Sequence, residues 1–420
     1  MRVVIAGGGV IGVCCAYYLA KAGVEVTLLE RADIGDGATF GNAGVIAPGH
    51  TPIAKPGRLK QALRSMLQPL SPFYVPPRLN LSLLRWLFAF ARHCTQRHVT
   101  FAMQTLGPMG HASLRLFDEL IAEEELACGY RRAGFYEVCL SEGGLRAVTE
   151  EAAFVKGYGF DSRALSGAEL REREPRLGES IIGGVWYPEA ATMNPHGFVT
   201  ELAARARRLG AALCTGKEVA AVLVESGRVR GVRTRQGELV EADAVVLAAG
   251  AYTVPLVRQL GLKLPLEPAK GYHRDAVATS SEPLLRESCV LAERLVFCTP
   301  MHAFTRFAGT LEFSGVNHDI RRPRLEQLTR AARDYFPHLP PFEIVSEWCG
   351  LRPCLPDGLP AIGAVQRYPG LYVATGHAMA GLTLGPITGK LVAELLTTGT
   401  TSIDITALRP DRFSGAGQLA

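Results

Sequence analysis

The sequence predicts an α/β fold in which one mostly parallel sheet is assembled from distant segments and interleaved with a second, strand-rich domain. Three observations carry this prediction. A strand, a glycine turn and a helix occupy residues 2–22, an apolar strand that ends in glycine occupies residues 244–250, and another strand, glycine turn and helix occupy residues 371–396. Because strands that alternate with helices usually form parallel sheets, we expect the three segments to share one sheet.

The first of these segments has the pattern of a turn that binds a dinucleotide. Arg2 to Ala6 is a short apolar run rich in β-branched residues, which is typical of a buried parallel strand. A G-x-G-x-x-G turn follows, and Val10 to Ala22 then reads as a helix that stops at Gly23. The three glycines of the turn are Gly7, Gly9 and Gly12.

Each glycine of this turn has a physical role. Gly7 permits the tight turn, Gly9 lets the backbone approach a pyrophosphate, and Gly12 lets the helix pack closely on the strand. The N-terminus of the helix offers free N–H groups to the phosphates. A second strand, Glu25 to Leu29, ends beside Glu30, whose carboxylate can accept hydrogen bonds from both ribose hydroxyls and disfavours a 2′-phosphate. The pattern therefore predicts FAD or NAD rather than NADP.

Two other glycine-rich stretches can bring backbone amides close to a ligand. Gly35 to Gly44 is rich in small residues, with Thr39 and Asn42 as polar groups, although a flexible surface loop would have a similar composition. Near the C-terminus, the strand Leu371 to Ala374 leads into the turn Thr375 to Gly385. Two such strand-and-turn units at opposite ends of the chain indicate one cofactor domain built from discontinuous pieces.

The composition excludes several classes of protein. The 420 residues include 45 basic and 40 acidic side chains, and no dense run of Lys or Arg marks a nucleic-acid surface. The ten cysteines form no C-x-x-C pair and stand at no zinc-ligand spacing to histidines, so we expect no metal site and a reducing compartment. No apolar run reaches the ~18 residues of a membrane span, and no cleavable signal precedes the first strand, so we expect a cytoplasmic protein.

The region that follows the first segment is expected to be partly helical. Residues 51–95 are rich in proline and contain two helical pieces, Gly57 to Met66 and Leu81 to Cys94, and a longer helix is expected from Met103 to Glu125. The piece Leu81 to Cys94 is strongly apolar, with arginines at positions 85 and 92. It fits a core helix of a second domain, which is the interpretation we favour, or a peripheral contact with the inner membrane.

Strand patterns dominate from about Tyr130 onward, apart from the C-terminal helix of the segment 371–396 and two helices before it. Asn194 is a suitable cap for a helix from Pro195 to Leu209, and a further helix is expected around Arg324 to Tyr335. We therefore expect two domains. The cofactor domain comprises residues 1–50, 190–255 and 348–420, and the substrate domain comprises residues 51–189 and 256–347.

Several motifs of the chain, taken together, resemble those of one known family. Besides the opening glycine turn and Glu30, they are Gly41–Val45, Lys270–Tyr272, Arg306–Phe313, Gly350–Gly358 and Gly376–His377. In this order and spacing, nearly the whole chain resembles the FAD-dependent D-amino-acid oxidase superfamily, and most of all bacterial D-amino-acid dehydrogenases of the small-subunit type. The resemblance implies a Rossmann-like FAD-binding domain assembled from discontinuous segments, with a mixed-sheet α+β substrate domain over the reactive face of the flavin.

The resemblance also implies which residues contact a non-covalently bound FAD. The opening turn would hold the pyrophosphate, Glu30 and Arg31 would lie at the AMP moiety, and the backbone of Val219 would hold the adenine. The small-residue loop would run toward the isoalloxazine, and the C-terminal turn would face the O2 and N1 edge of the flavin, helped by a helix that begins near Gly381. The implied FAD residues are Gly7, Gly9, Val10, Ile11, Gly12, Glu30, Arg31, Ala38, Thr39, Asn42, Ala43, Val45, Val219, Gly376, His377, Gly381, Leu382 and Thr383.

Three residues are candidates for the chemistry at the substrate. Arg352 is the first choice for the substrate carboxylate, because a guanidinium offers it a planar, bidentate match. Tyr272 is the second choice, as a hydroxyl donor to the same carboxylate, and His50 is a weaker candidate that also fits a structural histidine. His273 and Met379 depart from the family pattern. No general base is required if the amine binds unprotonated.

The implied activity is the oxidative deamination of a D-amino acid to the imino acid and then the 2-oxo acid, by hydride transfer from Cα to flavin N5. Electrons would pass to a quinone or another carrier, and a preference for D-proline or D-hydroxyproline is part of this expectation. Three alternatives stay open: a glycine- or sarcosine-type oxidase that uses O2, a non-catalytic FAD-binding subunit of a heteromeric amine dehydrogenase, and an NAD-linked dehydrogenase. The last is disfavoured because the turn at Gly376 would have no role in it.

Overall fold

The computed structural model describes residues 1–66, 68–78 and 80–414. The strands are β1 (Arg2–Ala6), β2 (Glu25–Leu29), β3 (Val45–Ile46), β4 (Phe73–Tyr74), β5 (Phe135–Cys139), β6 (Arg163–Ser166), β7 (Gly183–Tyr187), β8 (Ala191–Thr192), β9 (Ala212–Cys214), β10 (Val219–Glu225), β11 (Arg228–Thr234), β12 (Leu239–Glu241), β13 (Ala244–Leu247), β14 (Glu267–Ala278), β15 (Cys289–Leu291), β16 (Val296–Met301), β17 (Phe304–Glu312), β18 (Phe342–Cys354), β19 (Ala361–Ala364) and β20 (Leu371–Thr375). The α-helices are α1 (Val10–Lys21), α2 (Arg58–Ser65), α3 (Leu81–His93), α4 (Gln96–Glu124), α5 (Glu142–Lys156), α6 (Gly167–Arg173), α7 (Pro195–Arg208), α8 (Thr253–Gln259), α9 (Arg322–Tyr335) and α10 (Gly385–Thr398).

A six-stranded sheet brings the two ends of the chain together. Its strand order is β19-β20-β13-β1-β2-β9, and all neighbours are parallel except β19 and β20. The opening strand β1 thus lies between β2 and β13, and β13 pairs with the C-terminal strand β20. The prediction that the three distant segments share one mostly parallel sheet is confirmed.

Both faces of this sheet are covered, which explains the unbroken apolar run of β1. Val3 and Ile5 point into one core cluster with helices α1, α7 and α10, whereas Val4 and Ala6 point into another with β11 and α8. Side chains alternate between the two faces of a strand, so a strand covered on both faces is apolar throughout. The three antiparallel strands β10, β11 and β12 form the layer on the second face.

A second, larger sheet is mixed and carries the other long strands. Its order is β18-β14-β17-β16-β15-β5-β7-β6, and the short strand β4 pairs with β17. The long neighbours β14 and β18 are antiparallel, and Gly271 lies opposite Gly350 in their register. The expected domain boundary at residue 348 falls inside β18, and residues 415–420 of the expected cofactor domain lie outside the described residues. The proposed division into two domains stays a prediction.

The helices differ from the sequence prediction mainly where their first turns are polar or rich in glycine. Helix α4 begins seven residues before the expected Met103, because the Thr95 hydroxyl accepts a hydrogen bond from the His98 amide and caps a polar first turn. Helix α5 was expected as strand. It contains two glycines in its first turn, which weaken the helical pattern, but Ser141 caps it through the amide of Gly144.

Candidate active site

A cavity of about 930 Å³ lies where the carboxyl ends of the parallel strands meet the large sheet. Ala6 ends β1, Glu30 follows β2, Ala248 follows β13 and Thr375 ends β20, and all four line the cavity. Ligands of open α/β sheets bind at this edge. Thirteen of the predicted FAD residues line the cavity: Gly7, Gly9, Val10, Ile11, Glu30, Arg31, Ala38, Thr39, Asn42, Val219, His377, Gly381 and Leu382.

The glycine turn at one side of the cavity leaves no space for side chains. Gly7 has a φ of +113°, and a Cβ there would lie 2.6 Å from the carbonyl oxygen of Ala248. A Cβ on Gly12 would lie 1.9 Å from the carbonyl oxygen of Gly7, so α1 packs directly on the turn. Helix α1 has Gly9 as its N-cap, with no side-chain cap and no acidic residue in its first turn. The N–H groups of its first turn, apart from the Val10 amide that bonds Thr39, are therefore suited to an anionic ligand.

The carboxylate of Glu30 is fixed at the cavity wall by two backbone amides. It accepts hydrogen bonds from the amides of Gly8 (2.6 Å) and Ala32 (3.0 Å). Arg31 places its guanidinium 3.7 Å from the centre of the Tyr252 ring, and both residues line the cavity. This combination of a fixed carboxylate and a planar stacked pair fits the ribose and adenine of a dinucleotide.

The small-residue loop is ordered and attached to the glycine turn. The Thr39 hydroxyl accepts a hydrogen bond from the Val10 amide (3.0 Å), and the Asn42 side chain accepts one from the Gly44 amide (2.9 Å). Ala43 and Val45 do not line the cavity, and Val45 packs in a small core cluster with Phe135. The flexible surface loop that its composition also allowed is therefore not what these residues form.

The C-terminal turn faces the other end of the cavity through His377, Gly381 and Leu382. Gly376 adopts a φ of +82° and supports the turn, while the hydroxyl of Thr383 accepts a hydrogen bond from the Ala47 amide (3.2 Å). The helix expected to begin near Gly381 begins at Gly385, because residues 381–384 form a turn instead. The helix N-terminus is thus one turn farther along the chain than predicted.

His377 carries a ring nitrogen that is suited to a ligand. Its Nε2 lies 3.0 Å from the Thr388 hydroxyl, whereas its buried Nδ1 has no hydrogen-bond partner among the described residues. Burial lowers the pKa of His377 to about 3, so the ring is neutral near pH 7. A buried polar atom of this kind normally has a partner, and a bound cofactor would supply one.

Arg352 brings a positive charge to the cavity without an acidic partner. Its Nη1 donates a hydrogen bond to the carbonyl oxygen of Thr310 (2.9 Å), and its guanidinium lies against Gly271, where a Cβ would be 1.8 Å from Nη1. Among the described residues, no Asp or Glu forms an ion pair with it. Burial lowers its pKa from the usual arginine value, but a guanidinium remains protonated in proteins. The remaining donors of Arg352 can bind an anion in the cavity.

These features are those of a flavin site, and comparison with known proteins gives the family. A family model described as FAD dependent oxidoreductase matches residues 2–395. The chain belongs to this family. Its cofactor is therefore FAD, and the choice between FAD and NAD that the glycine turn left open is decided.

Individual relatives are similar over almost the full chain. A D-amino acid dehydrogenase of Methylobacterium nodulans is 36% identical over 406 residues, which cover 94% of this chain and 95% of the relative. Another from Bradyrhizobium diazoefficiens is 32% identical and covers 99% of both chains. Among solved structures, glycine oxidase from Bacillus cereus has a TM-score of 0.75 at 25% identity and covers 95% of both chains. L-proline dehydrogenase from P. horikoshii has a TM-score of 0.78 at 21% identity and covers 98% of this chain and 97% of that one, a likeness of fold alone.

Tyr272 does not lie in the flavin cavity. Successive residues of β14 point to opposite faces of the large sheet, so Tyr272 points away from the face that carries Gly271 and Arg352. Its side chain is fully buried, and its hydroxyl donates to Glu312 (3.1 Å). Burial and Glu312 raise the pKa of Tyr272. The structure therefore does not support Tyr272 as a donor to the substrate carboxylate.

His50 is also outside the cavity of this flavoprotein. It lies near the ion pair between Lys55 and Glu151, and burial together with Lys55 lowers its pKa to about 4. His50 is therefore a neutral structural histidine here, which is the alternative that the sequence allowed. Met379 packs on the apolar cluster that contains Trp86 and likewise does not line the cavity.

Trp348 is among the cavity residues that the sequence did not single out. Trp348 shares the face of β18 with Gly350 and Arg352, and its indole lies against Gly350 and Gly41, where a Cβ would be 2.0 Å from the ring. His273 stacks on this indole at 5.3 Å between ring centres. The pattern W-x-G-x-R has the two-residue period of a strand, and this period could have placed Trp348 beside Arg352.

Proposed function

We propose that this FAD-dependent oxidoreductase is a D-amino-acid dehydrogenase in which Arg352 binds the α-carboxylate of the substrate. The observation that carries the proposal is the unpaired guanidinium of Arg352 at the flavin end of the cavity. The similarity to D-amino acid dehydrogenases over 94% to 99% of the chain favours the same substrate class. Expected products are the imino acid, which water hydrolyses to the 2-oxo acid, and ammonia.

Within this proposal, the protein has few chemical tasks. FAD supplies the acceptor for the hydride that leaves Cα. Arg352, which lies against Gly271, binds and orients the carboxylate. Trp348, which lies against Gly350, helps to keep the substrate close to the cofactor. His377 and His273 are both neutral, since burial lowers the pKa of the first to about 3 and of the second to about 4. Neither is needed as a base if the substrate amine binds unprotonated.

The electron acceptor is proposed to be a quinone or another carrier rather than O2. The experiment is turnover of the isolated chain on D- and L-amino acids, including D-proline and D-hydroxyproline, with dye reduction and peroxide release measured in parallel. Dye reduction by D-amino acids without peroxide supports the dehydrogenase. Peroxide at the rate of turnover would instead indicate the glycine- or sarcosine-type oxidase, and a yellow but inactive chain would indicate a non-catalytic subunit.

The attachment of FAD is proposed to be non-covalent. None of the ten cysteines lines the cavity, although Cys349 and Cys354 belong to the strand that carries Arg352. Burial raises the pKa of both thiols, which keeps them in the unreactive protonated form. Acid precipitation should leave a colourless pellet, whereas a yellow pellet would contradict the proposal.

Helix α3 is proposed as a peripheral membrane contact. No helix of the described residues is long and apolar enough to cross a membrane. One stripe of α3 is exposed and combines apolar with basic residues: Leu81, Leu84, Arg85, Phe88 and Arg92. Such a stripe suits the interface of an anionic lipid surface, where apolar side chains enter the acyl boundary and arginines meet the headgroups.

The opposite side of α3 connects this stripe to the site. Trp86 and Phe90 are buried and stacked at 4.8 Å between ring centres, and the Trp86 indole donates to the carbonyl oxygen of Cys354 (3.0 Å). Cys354 is two residues from Arg352 on β18 and forms a bridge with His377. Because α3 is one helix thick, about 10 Å, a lipid-soluble acceptor at the stripe would be close to the flavin end of the cavity.

A further inference from the structure

A buried ion pair in the large sheet has no assigned role. Asp275 of β14 lies opposite Arg306 of β17 in the sheet register. Arg306 donates two parallel hydrogen bonds to Asp275, from Nε to Oδ1 and from Nη2 to Oδ2, each 2.8 Å long. The side chain of Arg306 is only 4% exposed and that of Asp275 only 6%. Neither residue lines the cavity, so neither is expected to touch the substrate.

The remaining nitrogen of Arg306 reaches out of the sheet. Its Nη1 donates to the carbonyl oxygens of Phe40 (2.7 Å) and Asn42 (2.8 Å). Both carbonyls belong to the segment 37–44, which we call the cofactor loop because its residues Ala38, Thr39 and Asn42 line the FAD cavity. One guanidinium therefore binds an acid in the large sheet and two backbone oxygens of the cofactor loop.

Aromatic packing holds the same segment from another direction. The indole of Trp348 covers Gly41, which lies between the two carbonyls that Arg306 binds. Phe40 lies 6.0 Å from His273 and 6.5 Å from Trp348, measured between ring centres. Burial and the nearby Arg306 lower the pKa of His273 to about 4, so it adds no second positive charge beside the guanidinium near pH 7.

The cofactor loop needs such external contacts. It contains no helix or strand of its own, and fixing the backbone of a small-residue loop costs conformational entropy. Contacts that hold the loop before the ligand arrives remove part of this cost from binding. The same contacts fix the position of the loop relative to β18, which carries Arg352.

We propose that Arg306, oriented by Asp275, is a positioning residue that holds Phe40–Asn42 in the conformation that binds FAD and thereby sets the FAD affinity. The proposal depends on the cofactor and not on the identity of the substrate. It therefore stands or falls separately from the assignment of D-amino acids.

The test is FAD binding by the apoprotein, followed through the fluorescence of FAD. Arg306→Lys keeps the charge, but its single nitrogen with three donors cannot reproduce the four bonds that the guanidinium makes to Asp275, Phe40 and Asn42. The Kd for FAD should therefore rise about ten-fold or more. Arg274→Lys is the matched control, because Arg274 is next to Asp275, points to the other face and is held by two bonds to Glu347 (2.9 and 2.7 Å). It should lower the melting temperature without changing the Kd for FAD.

Two further measurements separate positioning from general stability. At saturating FAD, Arg306→Lys should retain the substrate KM, whereas a change at Arg352 should raise KM and leave FAD bound. In Arg306→Ala, millimolar guanidinium chloride should restore part of the FAD affinity, and sodium chloride of equal ionic strength should not. If Arg306 variants fail to fold, Asp275→Asn gives the same comparison with a smaller change in volume.

Two results would overturn the proposal. One is an unchanged Kd for FAD in Arg306→Lys or, if that variant does not fold, in Asp275→Asn. The other is an equal loss of affinity in Arg274→Lys, because the ion pair would then act only through the stability of the sheet.

Discussion

Arg352 is proposed as a functional residue because it lacks an acidic partner. A buried guanidinium usually lies against a carboxylate, and in the described part of the chain Arg352 has only the Thr310 carbonyl oxygen. The Arg306–Asp275 pair in the same sheet is the satisfied counterpart. This difference in bonding is why we propose Arg352, and not Arg306, as the arginine that binds the substrate.

The first prediction concerns Arg352→Lys. A lysine keeps the charge and loses the bidentate fork, so the substrate KM should rise about ten- to a hundred-fold while bound FAD is retained. Steady-state kinetics together with the flavin absorbance of the purified protein measure both quantities. The control is Arg274→Lys, whose kinetics should match those of the parent, and parent-like kinetics in Arg352→Lys would remove Arg352 from the site.

The second prediction concerns the Glu137 carboxyl, which lies near Glu151, Lys55, Arg58 and the Tyr187 hydroxyl. Burial, and then Glu151, raise the pKa of Glu137 to about 7. The folded protein therefore holds this proton between the ordinary glutamate pKa and about pH 7, and the contribution of Glu137 to stability falls as pH rises through that window. The pKa of Glu151 is lowered to about 2, so its contribution changes only at lower pH.

Replacing the Glu137 carboxyl should remove its share of the loss of stability with rising pH. When the pH rises from about 5 to about 8, the free energy of unfolding should fall by about 1–3 kcal/mol less in Glu137→Gln than in the parent. Melting temperatures of both proteins at the two pH values measure the effect. Equal pH slopes would show that Glu137 does not hold a proton in the folded state.

Among the helices, α3 has one side buried in the protein core and one side exposed. Its buried residues Leu83, Trp86 and Phe90 pack toward the end of β18, and its outer stripe is exposed, with Phe88 68% accessible. The sequence left a core helix and a membrane contact as alternatives. The structure gives α3 a core face, and its exposed face keeps the membrane contact as a proposal.

The third prediction tests the outer stripe of α3. Phe88→Glu should reduce sedimentation with vesicles that contain anionic lipid about ten-fold, because it places a charge at the centre of the apolar stripe. Leu239→Glu is the control, since Leu239 is 63% exposed on β12 and outside the stripe. Both variants should retain FAD and activity with a soluble dye as acceptor. Parent-like sedimentation of Phe88→Glu, or no binding by the parent, would exclude this contact.

Some helices and strands of this fold could be predicted from the sequence, and others could not. The unit β1–α1–β2 was predicted to within one residue at its ends, because its glycines, apolar runs and Glu30 act within a short stretch of chain. Helix α5 was not predicted, because the two glycines in its first turn weaken the helical pattern of the sequence. It forms nevertheless, because Ser141 caps its N-terminus. Tyr272 was placed wrongly, because the motif gives its neighbourhood along the chain but not the face of the sheet to which it points.

In the whole molecule, the cavity lies between the two sheets and is lined by residues of both. The six-stranded sheet presents the glycine turn, Glu30 and the C-terminal turn, and the large sheet presents Arg352 and Trp348 on one face. The distant segments of the first sheet were predictable, because each carries its own strand-and-glycine pattern. The contact of Arg306 with Phe40 was not, since it joins residues that are 266 positions apart and have no shared local pattern.

We propose that this protein oxidises D-amino acids with FAD bound in the cavity. The most direct measurement is anaerobic mixing of the purified protein with D- and L-enantiomers of the same amino acids, followed through the flavin absorbance. Bleaching of the oxidised flavin by D-enantiomers, with none or far slower bleaching by L-enantiomers, is the expected result. Flavin that stays oxidised with every D-amino acid of the panel, or that is reduced faster by the L-enantiomers, would show that the protein is not a D-amino-acid dehydrogenase.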